Sequence, residues 1–244
     1  MLFAPTKSSS NGTPEPEPRP PTPIASTCRQ LVLVRTPSWT TSSGTLQRYE
    51  RTDSPAWQPA GEATPVNLGR NGMAWGRGLH ASHGKGPVKK EGDGKTPAGV
   101  FALQVAFGAA EQLPASSKGF PYVRMSSSSY CVEDVRSKFY NQIIDATEVK
   151  ATSWQRWSKM MRPDGLFRWG IVVRQNDPET KTGAGSCVFL HIWRGSRRST
   201  SGCTAMPLDQ IQETLRWLDG EAKPLLVQLP EPEYQRLRDS WELP

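Results

Sequence analysis

From Gln30 onward the apolar residues come in short runs or alternate with polar ones, and only rarely recur at helical spacing. Leu31-Val32-Leu33-Val34 is a continuous apolar run, Gly44 to Glu50 partly alternates, and Pro65 to Gly69 is a third short strand candidate. Ala102 to Phe107, Cys131 to Asp134 and Phe139 to Asp145 extend the series. The two strongest strands are Arg168 to Arg174 and Cys187 to Trp193, separated by turn residues and able to pair as a hairpin; Leu225 to Leu229 closes the list. Leu208, Ile211, Leu215 and Leu218 step by three and four between Pro207 and Gly220, which predicts an amphipathic helix over 207–219. Trp154, Trp157 and Met161 suggest a short helix over 153–161, and Glu233 to Trp241 a terminal one. The sum is a mainly β (α+β) fold with a few helices.

Residues 1–29 interrupt this pattern. They are rich in Pro, Ser, Thr and Glu, cannot bury a core, and predict a disordered linker or tail, leaving 30–244 as one folded domain. Such a linker commonly follows an anchor or signal, and a tail with no address is the equal alternative. The start Met1 to Pro5 lacks the basic and apolar regions of a signal peptide, and no apolar run reaches the roughly 18 residues of a membrane span.

Composition adds little to the fold and more to the partner. The chain has 244 residues, 36% apolar and 22% charged, ordinary for one globular domain. A net charge of +7 favours an anionic partner, but the basic residues are scattered, and only Arg194, Arg197 and Arg198 cluster beside reactive side chains. That argues against nucleic acid. Glycines recur from Gly69 to Gly99 without a phosphate-binding pattern, so they read as loops, and His80 and His83 within them read as surface residues. Four cysteines allow three pairings and assign none.

The chemistry concentrates between Ser186 and Met206. His191 ends a strand, a basic hydroxyl-rich loop follows, and Ser201-Gly202-Cys203 forms a tight turn before the helix. A cysteine nucleophile needs a base, a positive charge or a helix N-terminus to supply thiolate, and Cys203 could draw on His191, on Arg197 and Arg198, and weakly on the helix. Gly202 permits a turn in which the amides of Gly202 and Cys203 point at one oxygen, an oxyanion hole shaped with Ser201. No acidic residue in the segment can orient His191, so a backbone carbonyl or a distant group must do so. Two bland readings compete: Cys203 as a core thiol, and Cys187, His191 and Cys203 as metal ligands, although their spacing fits no usual zinc pattern. The reading calls for no metal and no cofactor.

His191 with Thr200-Ser201-Gly202-Cys203-Thr204, and Thr96-Pro97-Ala98-Gly99-Val100-Phe101 upstream, resemble the two signature segments of the L,D-transpeptidase catalytic domain, also called YkuD-like. The resemblance covers roughly residues 65–229. It implies a β-sandwich or barrel, Cys203 as nucleophile and His191 as base, and action on peptidoglycan stem peptides in the periplasm or cell envelope. The implied reaction forms a thioester on a tetrapeptide stem with loss of terminal D-alanine, then transfers the acyl group to the side-chain amine of another stem. L,D-carboxypeptidases or other cell-wall hydrolases on the same scaffold use water instead, and an inactive cell-wall binding module is the alternative of another class. Many members carry His at the position of Ser201 and Arg at that of Ala205, so Arg197 and Arg198 are the candidates to supply the missing charge and bind substrate.

Overall fold

A computed structural model of the chain describes residues 22–81, 84–113, 119–149 and 154–244. In chain order the strands are β1 (Gln30–Thr36), β2 (Ser43–Glu50), β3 (Gln58–Pro59), β4 (Thr64–Asn67), β5 (Met73–Trp75), β6 (Thr96–Gly108) and β7 (Tyr122–Arg124). They continue as β8 (Ser129–Val132), β9 (Ile143–Asp145), β10 (Trp157–Lys159), β11 (Trp169–Val173), β12 (Phe189–Ile192), β13 (Thr204–Met206) and β14 (Leu225–Pro230). The helices are α1 (Leu208–Trp217) and α2 (Glu231–Leu237).

The main sheet runs β1-β14-β6-β11-β12-β13-β4-β2-β3, with β5 and β7 also on β6, and pairing of β1 with β2 closes it into a barrel. Closure removes the free edges that short strands would otherwise expose. The fold is therefore mainly β, as the apolar pattern predicts. Leu31 to Val34 are all buried because β1, paired in parallel with β14 and antiparallel with β2, is covered on one face by the barrel core and on the other by α2, whose Tyr234 and Leu237 join the same core. The expected hairpin of β11 and β12 forms, with Gly170 opposite His191. The helix α1 buries Ile211, Thr214 and Leu215 against the barrel, starting after Pro207 without a side-chain cap. Among the described residues, no helix is long and apolar enough to cross a membrane.

A smaller sheet, β10-β8-β9, sits beside the barrel. Phe107, Met125, Cys131, Met160, Phe167, Cys187 and Phe189 form a second apolar cluster between the two. Its aromatic rings meet edge to face, Phe107 with Phe189 at 5.0 Å and Phe167 with Phe189 at 5.4 Å. A disulfide joins Cys131 of β8 to Cys187 before β12, tying the small sheet to the strand that carries His191. The sequence left that pairing open; strand placement decides it.

Several expectations change. The segment expected as a helix over 153–161 contains β10; Trp154 is buried but Trp157 and Met161 are exposed, so the spacing of these three marks no common face, and Ser153 lies outside the described residues. Ser158 instead pairs with Cys131 across β10 and β8. Only the end of the Phe139–Asp145 candidate is strand, because Asn141 turns the chain at φ 66°. Packing also begins before Gln30: Ile24 and Cys28, inside the stretch expected as linker, are fully buried in the core. The terminal helix starts earlier, at Glu231, with Pro232 in its first turn.

Candidate active site

The barrel places the two reactive segments side by side. β12 and β13 pair in parallel with His191 opposite Ala205, and Cys203 stands two residues before Ala205. Period-two alternation then puts His191, Ala205 and Cys203 on one face. All three line a cleft of ≈ 440 Å³.

The turn that carries Cys203 is held by hydroxyls. Thr200 Oγ1 donates to the Cys203 carbonyl (2.6 Å), and so does Thr96 Oγ1 (3.3 Å). Thr96 is fully buried, and its hydroxyl also accepts from the Gly69 amide (2.8 Å). The Thr96 segment therefore acts on the cysteine turn directly. Further along β6, Gly99 (φ 133°) lies under the His80 ring; a Cβ there would come within 2.0 Å of His80 Cε1. His80 is buried, accepts from the Val100 amide at Nδ1 (3.1 Å) and packs on Trp75 and Phe101, so the surface position expected for it is wrong. The glycine-dense loop lets the chain fold over β6 closely enough to enclose the imidazole. His83 lies outside the described residues.

His191 is buried, with its Nδ1 2.7 Å from the Ile192 carbonyl. A carbonyl only accepts, so the proton sits on Nδ1 and Nε2 is the basic nitrogen. Burial, with the nearby Arg162 and Arg194 charges, lowers the His191 pKa to about 4, against the opposing pull of the Ile192 bond and Asp164. The Phe167 ring meets the imidazole edge to face at 5.1 Å.

The Cys203 thiol donates to the Cys187 carbonyl (3.7 Å). Its pKa is pushed up to about 12, chiefly by burial, with Glu133 adding to the rise while the Phe189 backbone, Lys89 and Arg162 oppose it. A thiolate prepared by neighbouring positive charge is thus not what the resting protein contains: desolvation outweighs the cations. The pair rests as neutral thiol and neutral imidazole.

Of the two arginines expected to supply charge, Arg198 lines the cleft and Arg197 does not; both are exposed. Arg162 is a cation whose charge acts on both Cys203 and His191. It pairs in a fork with Asp164 (2.9 and 2.5 Å), which also binds Arg194 (3.2 Å), and its guanidinium lies 5.2 Å above Phe167. Sequence reasoning did not single it out; the turn Arg162-Pro163-Asp164-Gly165 that follows the helix expected over 153–161 was the available signal.

Ser201 is exposed, within reach of Arg70 (3.3 Å). The Gly202 amide, expected to aim at a substrate oxygen, donates instead to Thr200 Oγ1 (3.1 Å), so the resting turn does not present it as an oxyanion donor. Gly202 does have the permissive geometry, with φ 153°. The competing metal set loses a ligand, because Cys187 is bonded to Cys131. Among the described residues, no cluster of three or more His, Cys, Asp or Glu could hold a metal ion.

The family model described as YkuD, L,D-transpeptidase catalytic domain, matches residues 62–227. No curated protein matches the chain.

Proposed function

The chain belongs to the L,D-transpeptidase catalytic-domain (YkuD) family, and from that premise we propose that it is a cysteine acyltransferase acting on peptidoglycan stem peptides in the cell envelope. The observation that carries the reading is the convergence in one cleft of His191, on β12, and Cys203, in the turn that leads into its parallel neighbour β13. Neither reactive group is charged at rest, so deprotonation accompanies attack: the Cys203 sulfur adds to the stem carbonyl as His191 Nε2 takes the thiol proton. The imidazolium so formed is stabilised by the Ile192 carbonyl at Nδ1 and by Asp164. His191 then protonates the departing D-alanine amine, leaving a thioester on Cys203.

Negative charge on the tetrahedral intermediate develops in a cleft lined by Arg162 and Arg198. Arg162, whose charge acts on both Cys203 and His191, is our candidate for the positive charge that Ala205 does not supply. Thr200 and Thr96 keep the Cys203 carbonyl fixed while the sulfur reacts.

Incubation of purified protein with a tetrapeptide stem, followed by intact-mass measurement, tests this. The expected result is a mass increase equal to the stem minus D-alanine, absent in Cys203→Ala; stem turnover by Cys203→Ala at the wild-type rate overturns the reading. Muropeptide products then separate transfer, which gives dimers, from hydrolysis, which gives shortened monomers. A protein that binds stems and forms neither product is a binding module.

A further inference from the structure

The cleft around Cys203 holds carboxylates as well as cations. Arg162 and Arg194 pair with Asp164 and Lys89 with Asp93 (2.5 Å), whereas Arg70, Arg156 and Arg198 have no carboxylate within 4.0 Å among the described residues. Glu91 and Glu133 line the same cleft, yet among the described residues neither has a cationic side chain within 4.0 Å. Each is held by neutral hydroxyls. Glu91 Oε2 accepts from Tyr140 (2.5 Å) and Ser186 (2.7 Å), and Glu133 Oε1 accepts from Ser158 (2.5 Å). Their backbones are fixed too, Glu91 N–H to the Gly183 carbonyl (2.8 Å) and Glu133 N–H to the Arg156 carbonyl (3.0 Å).

Hydroxyl donors orient a carboxylate without cancelling its charge, so both retain the capacity for a mobile cation. Glu133 lines the cleft together with Cys203, and its charge adds to the rise of the thiol pKa. An acidic side chain there works against the nucleophile: it disfavours thiolate. The same charge favours a positively charged group arriving beside a thioester. The geometry points to Glu133 and Glu91 as the subsite that receives the ammonium group of the acyl acceptor, selecting amine-bearing stems over water.

This inference rests on the acyltransferase reading. In the step it serves, the acceptor nitrogen bonds to the thioester carbonyl carbon and the carbon–sulfur bond breaks. Of the two protons the ammonium loses, one returns to the Cys203 sulfur through His191 and the other goes to solvent. Glu133 and Glu91 bind and orient the ammonium; they are not asked to become protonated.

Two measurements on wild type, Glu133→Gln and Glu91→Gln test it. The first is binding of 1,5-diaminopentane, a bare diammonium probe, by calorimetry, which needs no turnover. Saturable binding to wild type, weakened about tenfold or more in Glu133→Gln, supports the subsite. No binding to wild type, or equal binding to all three proteins, overturns it. The second compares acyl-enzyme formation from a tetrapeptide stem with dimer formation in the presence of an amine-bearing acceptor. Acylation that is unchanged in Glu91→Gln and unchanged or faster in Glu133→Gln, because the charge that disfavours the thiolate is gone, together with a raised KM for the acceptor and more hydrolysed product, supports the assignment; equal loss in both half-reactions, or no change in either, overturns it. Failure of the wild-type protein to acylate, with diamine binding intact, refutes the acyltransferase reading and leaves the ammonium site standing. Matched thermal melts confirm that the variants are folded, and Glu133→Gln retains an amide oxygen to accept from Ser158.

Discussion

Acidification should destabilise this protein through His191 before any carboxylate is reached. The imidazole is buried and its pKa lies at about 4 in the folded chain, against 6.5 when exposed. Between those values the unfolded chain binds a proton that the native state refuses, so stability falls as pH drops from about 6.5 and the loss is complete near 4. The gap of roughly 2.5 units, at about 1.4 kcal/mol per unit, gives about 3 kcal/mol in all. Asp164 has a pKa held below the usual carboxylate range by the Arg162 fork, so its contribution disappears only at lower pH. Urea unfolding of wild type and His191→Gln, measured at half-unit steps from pH 8 to pH 4, isolates the effect. The wild type should lose about 3 kcal/mol more than the variant across this range. Parallel stability curves for the two proteins would show that His191 is not a buried neutral base, and the mechanism built on it would fail with them.

Other outcomes follow from the same geometry. Thr96→Val leaves the Gly69 amide without its acceptor and removes one of two hydroxyls on the Cys203 carbonyl, so denaturant melts should show a loss of about 1–3 kcal/mol, with slower acylation. Gly99→Ala forces a methyl into the His80 ring at a backbone conformation that alanine resists, and should cost about 2 kcal/mol or more by thermal unfolding. Breaking the Cys131–Cys187 bridge by Cys131→Ala with Cys187→Ala reopens a loop with a sequence separation of 56, a loss of about 4 kcal/mol in the loop-entropy picture, read from melts against untreated wild type. Alkylation of Cys203 by iodoacetamide should be slow at neutral pH and rise through pH 9 and beyond, because burial holds the thiol up to about 12; a rate plateau below pH 8 would contradict that.

The strands were legible because short apolar runs between Gly and Pro have few other uses, and Leu31–Val34 and Leu225–Leu229 paired as neighbours in the barrel. The helix at 207–219 was legible from its apolar steps of three and four residues, which put Ile211 and Leu215 on the face turned to the core. What misled was sparse periodicity: Trp154, Trp157 and Met161 repeat like a helix, yet the small sheet claims that segment through Cys131 and the disulfide. Long-range pairing of this kind overrides local spacing. At the site, residue types pointed to Cys203 and His191, but not to the balance of forces on them. Burial raising the thiol and lowering the imidazole is set by Phe167, Phe189 and their neighbours, and no local motif reports it. The orienting carbonyl of Ile192, likewise, belongs to the residue next to His191 and becomes visible only when the backbone is drawn.

The hydrogen bond from Thr96 to the Cys203 carbonyl also bears on how this catalytic scaffold can be re-engineered. The stretch from Arg194 to Thr200 looks like a free module, an exposed loop that could be exchanged to change what the cleft admits. Its end is not free, because Thr200 and Thr96 share one acceptor and Thr96 also anchors Gly69, whose neighbour Arg70 donates its amide to the Thr200 carbonyl (2.9 Å). A graft that ends at Ser199 leaves this knot intact, whereas one that replaces Thr200 must carry the 69–70 and 96 positions with it.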